Sequence, residues 1–270
     1  MPTVDENLKT WNETYRWIEQ GDEWSRSWGG PSAQWFGTIL PRLRTFVPTG
    51  TILEIAPGFG RWTQFLARLC DELVVVDLST KCIEACRRRF AADFPNIAYH
   101  VNDGRSLAMV PDDSVDLVFS FDSLVHVESE VLDAYLEQIA TKLKPDGVAF
   151  LHHSNLGEYV DESTGRIPES MGRAGSRDAS VSGTRVIETG ARASLCCLSQ
   201  ELVPWGGVEL IDAITVFARP GSRWGDQTVP MRNPEFAAEV RYVRKLGQLY
   251  DWGPMARGRQ DSNSSQIHSK

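Results

Sequence analysis

The sequence lacks a hydrophobic run long enough to cross a membrane, because its apolar stretches are short and interrupted by charged residues. It also has few basic residues for its acidic ones: 28 Lys and Arg against 36 Asp and Glu give a formal net charge of -8. Proteins that bind nucleic acid normally carry a basic surface patch. We therefore expect neither a membrane nor a nucleic acid as partner. The charge suits neutral or cationic ligands.

Cysteine is scarce, and its spacing is not that of a metal site. The five cysteines are an odd number without a CxxC pair. Cys82 and Cys86 stand four apart on a predicted helix, which indicates packing rather than ligation. The N-terminal segment is polar and acidic from its first turn, unlike a secretory signal peptide. These features predict reduced thiols and a cytoplasmic location.

Strand-like and helix-like segments alternate from Thr51 onward, with short connections. This alternation predicts an α/β fold with a doubly wound, Rossmann-like sheet. The last two strands are joined by PWGG, typical of a hairpin, so we expect a mostly parallel sheet with an antiparallel last strand. KPDG at 144–147 is predicted to be a turn. The predicted strands are 51–56, 72–78, 97–101, 115–121, 147–153, 194–203 and 209–219, and the predicted helices are 61–70, 80–94, 129–143 and 234–250.

The chain is expected to divide into four parts. Residues 1–48 are predicted to form a tryptophan-rich N-terminal helical cap, and 49–220 the main domain. Within that domain, 156–180 is rich in Gly, Ser, Arg and Glu and is predicted to be a mobile loop. Residues 221–254 are predicted to form a C-terminal helical extension, and 255–270 a disordered tail.

A glycine-rich turn, EIAPGFGRW, follows the first predicted strand and opens the first predicted helix. Gly58 and Gly60 allow the backbone to pass close to a ligand. A dinucleotide site would place a small residue where Thr63 stands, and it has no use for Glu54 inside the strand. A carboxylate in an apolar strand is costly unless something binds it, and a ligand with an ammonium group would be a sufficient partner.

The E-x-x-x-G-x-G spacing resembles motif I of the class I S-adenosylmethionine-dependent methyltransferases, and the resemblance continues over residues 50–155 through VDLVFSF and YLEQIATKLKPDGV. It implies that 49–220 binds S-adenosylmethionine and that the chain is an enzyme. It also implies that Asp77 accepts the ribose hydroxyls and that Asp103 meets the adenine amino group, both at the carboxyl ends of strands. The cofactor-binding residues that the resemblance implies are Glu54, Ala56, Gly58, Gly60, Asp77, Asp103, Gly104 and Phe121.

Six of the nine tryptophans fall in the first 62 residues. Aromatic faces suit sugar rings, although packing of the cap against the domain would explain most of them. GGPSAQW, FSFDSLVHVESEVLDAYL and HHSNLG together resemble a bacterial subgroup of sugar and polysaccharide O-methyltransferases, among them a methylmannose polysaccharide 1-O-methyltransferase. This implies a saccharide hydroxyl as the methyl acceptor. Residues 176–185 depart from the subgroup, so two alternatives stay open: another small molecule, including an amino-sugar nitrogen, and a non-catalytic partner subunit.

Two adjacent histidines end the fifth predicted strand, and their side chains point to opposite faces of the sheet. A sugar hydroxyl is almost un-ionised near neutrality, so a general base would help its methylation. Desolvation by the apolar strand would keep an imidazole neutral and able to accept a proton. We predict His153 as this base, because Ser154 appears next as the chain leaves the sheet. His152 and Asp122 are the further candidate catalytic residues.

Asp122 follows the fourth predicted strand, where it either caps the next helix or faces the acceptor. His126 is expected to be structural. A divalent metal is the alternative mechanism, with Asp122 and the HHSN segment at the matching positions. Magnesium prefers oxygen ligands, so histidines at these positions weaken that alternative. The sequence leaves magnesium and a homo-oligomer open.

Overall fold

The computed structural model describes residues 3–161, 163–168, 171, 177–225 and 229–250. The predicted tail lies outside these ranges. Within them, no helix has both the length and the apolar composition that crossing a membrane requires.

The described strands form one sheet of eight, in the order β3-β2-β1-β4-β5-β7-β6-β8. The strands β1 to β5 run parallel to one another, whereas β7 runs antiparallel to both β5 and β6, and the edge strand β8 is parallel to β6. The predicted fold class is thereby confirmed. The strands are β1 Thr49–Ile55, β2 Cys70–Asp77, β3 Ile97–Val101, β4 Val115–Ser120, β5 Leu143–Ser154, β6 Cys196–Val203, β7 Asp212–Ala218 and β8 Val229–Arg232.

Helices cover both faces of the sheet. On one face, residues of α3, α4 and α5 share a hydrophobic core with β1, β2 and β4, and on the other face α6 and α7 do so. The described helices are α1 Val4–Lys9, α2 Pro31–Gln34, α3 Leu40–Leu43, α4 Thr63–Leu66, α5 Thr80–Phe90, α6 Ser129–Lys142, α7 Gly183–Arg192 and α8 Phe236–Tyr250. Turns of π type at Thr10–Thr14 and Trp35–Ile39 and a 3₁₀ helix at Asp22–Trp28 complete the helical N-terminal segment.

Helix α7 was not predicted from the sequence, because glycines within it weaken the helical pattern. Ser182 caps the helix by accepting a hydrogen bond from the Arg185 N–H at 3.2 Å. Gly190 lies on its buried face, where a Cβ would come within 2.4 Å of the Phe217 ring. The helix therefore packs very close to the sheet through a residue that ordinarily disfavours helices.

The predicted turn at 144–147 is instead an insertion within β5. Val115 pairs with Leu143, but two residues later Leu117 pairs with Val148, so 144–147 bulge out of the ladder. The strand resumes after the bulge and continues to Ser154.

The predicted mobile loop 156–180 is described only in part. Its described residues include a 3₁₀ turn at Leu156–Tyr159 and an antiparallel bridge between Asp161 and Arg166. Residues 162, 169–170 and 172–176 lie outside the described chain. The mobility of the loop stays a prediction.

Candidate functional site

The turn after β1 has a backbone that glycine favours. Ala56, Gly58 and Gly60 have φ values of 56°, 57° and 87°. A Cβ on Gly60 would lie 2.3 Å from the ring of Phe90, so only glycine fits between the turn and helix α5. The turn therefore packs closely against helix α5 on one side, and its other side is accessible to a ligand.

Asp77 joins this turn to the end of β2. Its Oδ2 accepts a hydrogen bond from the Gly58 N–H at 3.2 Å, and its Oδ1 accepts one from the Ser79 N–H at 2.8 Å. Burial raises the pKa of Asp77 to about 7. Further hydrogen-bond donors from a ligand would favour its charged form.

Two adjoining cavities cross the carboxyl ends of β1, β2 and β4. We name the first, of about 650 Å³, the inner cavity, and the second, of about 510 Å³, the side cavity. The two cavities share a wall and form one cleft, as expected for a ligand at the strand ends of such a sheet. The shared wall consists of Ala56, Asp77, Leu78, Ser123 and His126.

The structure brings most of the predicted cofactor residues to this cleft. Gly58 and Phe121 line the inner cavity, and Gly104 lines the side cavity. Gly60 packs under the turn instead, against Phe90.

The placement of Asp103 is a correction to the sequence analysis. Its side chain is exposed and lines neither cavity. The carboxylate closes the turn after β3 by accepting hydrogen bonds from the N–H groups of Arg105 and Ser106 at 2.9 and 2.7 Å, and these bonds lower its pKa. Short acidic side chains commonly close turns in this way.

Glu54 and Arg61 each keep a buried polar atom without a hydrogen-bond partner among the described residues: Glu54 Oε1 and Arg61 Nη1. Glu54 Oε2 accepts a hydrogen bond from Thr63 Oγ1 at 2.6 Å, and burial raises the pKa of Glu54 to about 8. Arg61 lines the inner cavity, and its Nη2 donates to Asp122 Oδ2 at 2.7 Å. Sequence analysis gave Arg61 no role, although it directly follows Gly60.

Asp122 lines the inner cavity and has a left-handed backbone, with φ of 61°. Its N–H donates to His152 Nδ1 at 3.0 Å, so the proton of a neutral His152 ring sits on Nε2, 3.1 Å from Asp212 Oδ2. Arg177 holds Asp212 with two hydrogen bonds of 2.8 and 2.7 Å. Burial alone would raise the pKa of Asp212, but the hydrogen bonds from Arg177 and His152 lower it to about 2.

The prediction that His153 faces the acceptor is wrong. Its ring is fully buried and contacts the carbonyl oxygen of Ser154 through Nδ1 and Thr215 Oγ1 through Nε2, both at 2.8 Å. Ser154 does not leave the sheet, because it pairs with Asp212 on β7. His152 occupies the opposite face, beside Phe121. Burial lowers the pKa of His153 to about 4, so its ring is neutral as predicted, but it lines neither the inner nor the side cavity.

The tryptophans of the N-terminal segment divide into two groups. Trp28 and Trp35 are buried packing residues. Trp11, Trp17 and Trp24 line the inner cavity, and the Trp17 ring stacks on Phe59 with centroids 4.4 Å apart. Only the second group fits the interpretation that the segment covers a ligand.

A third cavity, which we name the outer groove, has a volume of about 940 Å³. It shares Trp24 and Asp122 with the inner cavity. Its other walls come from the start of the β6–β7 connection at Trp205 and from helix α8 at Phe236. Sequence analysis missed this groove, since its walls come from four distant parts of the chain.

The residues proposed for magnesium do not fit that ion. The Asp122 carboxylate is paired with Arg61, and His152 is engaged at both ring nitrogens. Over the described ranges, no group of three or more His, Cys, Asp or Glu side chains could hold a metal ion. We derive no step through a metal.

Comparison with known proteins agrees with this geometry. The sequence model of a family described as a methyltransferase domain matches residues 52–147. Phosphoethanolamine N-methyltransferase 1 of Triticum aestivum is 30% identical over 112 residues, which are 41% of this chain and 22% of that protein. Ubiquinone biosynthesis O-methyltransferase of Xanthomonas campestris pv. campestris (strain B100) is 27% identical over 112 residues, which are 42% of this chain and 46% of that protein. The chain thus spans less than half the length of these relatives.

A solved structure shows the same fold over a larger part of the chain. The S-adenosylmethionine dependent methyltransferase from Mesorhizobium loti superposes with a TM-score of 0.52 and 18% identity, over 69% of this chain and 98% of that one. Residues 52–147 therefore match the model of a methyltransferase domain, in a chain that shares the Rossmann-like fold of that solved structure.

The chemistry of the cleft fits this cofactor. S-adenosylmethionine carries ribose hydroxyls, which can donate to Asp77, and an amino acid with one ammonium and one carboxylate. Arg61 Nη1 is an unpaired donor that the carboxylate of such a group could use, whereas Glu54, whose Oε1 is also unpaired, is buried and lines neither cavity.

Proposed function

We propose that the protein is an S-adenosylmethionine-dependent O-methyltransferase that methylates a hydroxyl group of a saccharide. The observation that carries this proposal is the position of Asp122. Asp122 lines both the inner cavity and the outer groove. Its carboxyl group would therefore lie between a cofactor in the inner cavity and an acceptor in the outer groove.

The cofactor side of the proposal rests on the family and on Asp77. When bound, the cofactor supplies a methyl group on a positively charged sulfur. Asp77 would accept hydrogen bonds from ribose hydroxyls, while Gly58 keeps the wall of the inner cavity free of side-chain atoms. Trp17 and Trp24 would exclude water from the same cavity, which protects a reactive sulfonium.

The outer groove supports a saccharide as acceptor. Trp24 and Trp205 give it flat apolar walls, on which the C–H faces of a sugar ring can pack, and the buried Phe236 stacks on Trp205. Ser27 and Asp122 add polar groups for the hydroxyl edges. The groove has the size of a small-molecule site rather than of a macromolecular interface.

Asp122 would orient the acceptor hydroxyl by accepting its hydrogen bond. Arg61 fixes the carboxyl group of Asp122, and His152 fixes its backbone N–H. An acceptor hydroxyl bound to this carboxyl group would therefore be positioned for in-line attack. Asp122 would take the hydroxyl proton; the bound cofactor would supply the methyl group to that oxygen, and its sulfur would keep the electrons of the broken bond.

A cationic amine, such as an amino-sugar nitrogen, is the second candidate acceptor. Glu23 and Asp122 both line the outer groove, and the chain has a formal net charge of -8. The two relatives differ in the same respect, since one is named an N-methyltransferase and the other an O-methyltransferase.

The test is turnover with a cofactor whose methyl group is isotopically labelled, followed by mass spectrometry. The panel holds neutral oligosaccharides, aminoglycosides, phosphoethanolamine and a phenol. We expect label on a neutral oligosaccharide, lost in Asp122→Asn. Label on aminoglycosides alone would favour the amine. Binding of S-adenosylhomocysteine without product from any acceptor would favour the non-catalytic subunit.

A further inference from the structure

Asp122 is one member of a chain of hydrogen bonds that runs through the interior of the protein. Arg177 donates to the Asp212 carboxylate from Nε at 2.8 Å and from Nη2 at 2.7 Å. Nε2 of His152 lies 3.1 Å from Asp212 Oδ2, and the Asp122 N–H donates to Nδ1 of the same ring at 3.0 Å. The side chains of His152 and Asp212 are fully buried, and that of Arg177 is 8% exposed. Four segments that are distant in the sequence are thus linked to one another without solvent.

The Asp212 carboxylate determines which ring nitrogen of His152 carries the proton. A carboxylate accepts hydrogen bonds and donates none, so it favours a proton on Nε2. Nδ1 can then accept the hydrogen bond that the Asp122 N–H donates. With the proton on Nδ1 instead, two donors would face each other, and this N–H would lose its acceptor. Arg177 keeps the carboxylate charged, because its guanidinium pairs with both oxygens.

The backbone of Asp122 has a conformation that requires support. Its φ of 61° lies in the left-handed region, which non-glycine residues adopt only where their surroundings hold them. The neighbouring residues are held separately, since Trp62 Nε1 donates to Phe121 O at 3.2 Å and Ser123 Oγ donates to the carbonyl oxygen of the residue after β1 at 2.8 Å. The N–H between them is held by His152. This conformation places Asp122 where it lines both the inner cavity and the outer groove.

The same chain of hydrogen bonds contacts the wall of the outer groove. The centre of the Trp205 ring lies 4.9 Å from that of the His152 ring and 5.9 Å from the guanidinium carbon of Arg177. Trp205 lines the outer groove. Arg177 and Asp122 also interact electrostatically. The groove wall and the carboxyl group of Asp122 therefore share one support.

We propose that Arg177 and Asp212 are positioning residues for methyl transfer, and that they act on Asp122 through His152. The proposal rests on the proposed function, in which Asp122 accepts the proton of the acceptor hydroxyl. Neither Arg177 nor Asp212 lines the inner cavity or the outer groove, so neither touches a ligand there. They fix the tautomer of His152 and thereby the backbone of the proposed base. Stability alone does not explain them, because hydrophobic side chains often replace a buried ion pair without loss.

The first measurement is the tautomer of His152, by nuclear magnetic resonance of the full-length chain with isotopically labelled histidine. The signals of His152 are identified by their absence in His152→Gln. We expect the wild-type ring to carry its proton on Nε2. Asp212→Asn should shift the proton toward Nδ1, because the remaining oxygen pairs with Arg177 and the amide N–H faces the ring. Arg177→Lys keeps a positive charge beside Asp212 and should keep the wild-type tautomer.

The second measurement is turnover, with labelled cofactor and a neutral oligosaccharide as acceptor. Asp212→Asn should lower kcat about 3- to 10-fold, the value of one hydrogen bond, with unchanged affinity for S-adenosylhomocysteine. The double variant Asp212→Asn/His152→Gln should be no slower than His152→Gln alone, because both changes break the same chain of hydrogen bonds. Arg177→Lys should retain most of the wild-type kcat.

Asp133→Asn is the matched control. Asp133 on helix α6 pairs with Arg185 at 2.7 Å, the distance that also joins Arg177 to Asp212, and neither residue lines a cavity of the cleft or the outer groove. The tautomer of His152 and kcat should both stay as in the wild type. Thermal unfolding checks that each variant is folded. If Asp212→Asn does not fold with Arg177 left unpaired, Asp212→Asn/Arg177→Gln removes both charges and takes its place.

Three results would overturn the positioning role. A wild-type His152 with its proton on Nδ1 would contradict the chain of hydrogen bonds. An unchanged tautomer or an unchanged kcat in Asp212→Asn would mean that the ion pair supports the fold only. Losses that multiply in the double variant would mean that Asp212 acts independently of His152. A wild type that methylates no acceptor of the panel would instead overturn the proposed function, and the tautomer would still show whether Asp212 controls His152.

Discussion

On the cofactor side of the site the backbone holds the key carboxylate, whereas on the acceptor side other side chains hold its counterpart. Asp77 accepts hydrogen bonds from the N–H groups of Gly58 and Ser79. Asp122 depends on Arg61 and His152, and His152 depends in turn on Asp212. The first arrangement uses neighbouring strand ends, and the second uses residues from four separate segments.

The difference predicts two kinds of response to substitution. A change at Asp77 should stay local, because backbone N–H groups keep their places when a side chain is shortened. A change on the acceptor side should spread, because each charged group there is positioned by another. Separate measurements of cofactor affinity and of turnover can distinguish the two.

The largest effect is expected from Asp122→Asn, which keeps the shape of the side chain but removes the proton acceptor. Turnover should fall about 10²–10⁴-fold, the usual contribution of a positioned base. S-adenosylhomocysteine should still bind, as calorimetry would show. Turnover within a factor of about three of the wild type would show that another group takes the proton.

Asp77→Ala should weaken cofactor binding and leave the acceptor side of the site unchanged. Two hydrogen bonds from ribose hydroxyls to a carboxylate are each worth about 1.5–3 kcal/mol, so the affinity for S-adenosylhomocysteine should fall at least about tenfold. At saturating cofactor, turnover should recover most of its value. Asp103→Ala is the matched control: its exposed carboxylate lies outside the cleft, and we expect little change in affinity. Equal losses in both variants would return Asp103 to the cofactor site.

The two histidines test the acceptor side from within one strand. His152→Gln should lower kcat about tenfold, the value of one lost hydrogen bond at Asp122, with cofactor affinity unchanged. His153→Gln should leave kcat per folded molecule nearly unchanged. A larger loss of kcat in His153→Gln would contradict this placement.

His153 should show its burial in the pH dependence of stability. Its pKa is about 4 in the folded protein, against an ordinary value of 6.5. As pH falls below 6.5, the unfolded chain binds this proton first, so the free energy of unfolding falls by at most about 1.4 kcal/mol per pH unit until pH 4. The glutamine in His153→Gln does not titrate. The advantage of the wild type over this variant should therefore shrink from pH 7 to pH 4 in urea unfolding, and a constant difference would argue against burial of a neutral ring.

The smallest effect is expected from the groove wall. Trp24→Leu removes an aromatic face worth about 0.5–1.5 kcal/mol beyond its area, so the KM for the acceptor should rise severalfold. Trp224→Leu is the control, because Trp224 packs on Phe46 away from the cleft. A loss of cofactor affinity in Trp24→Leu without a change in acceptor KM would move this ring to the cofactor side.

What the sequence could predict follows the same division. Gly58 and Asp77 belong to a local strand–turn–helix pattern, so their positions were predictable. The histidines were correctly assigned to opposite faces, but which face looks toward Asp122 depends on the pairing of Ser154 with Asp212, 58 positions along the chain. The unpaired state of Arg61 Nη1 and the outer groove both depend on packing between distant segments, which no local pattern records.

Arg42, near the start of the chain, donates to Glu201 at 2.7 Å and to Glu239 at 2.9 Å, and thereby fixes helix α8 beside the outer groove. Arg42 and Glu239 are 197 positions apart. Contacts over such separations form late, because a long loop must close first. We therefore expect the cofactor cleft to form early in folding. The acceptor groove is completed only when helix α8 has been synthesised and packs beside it.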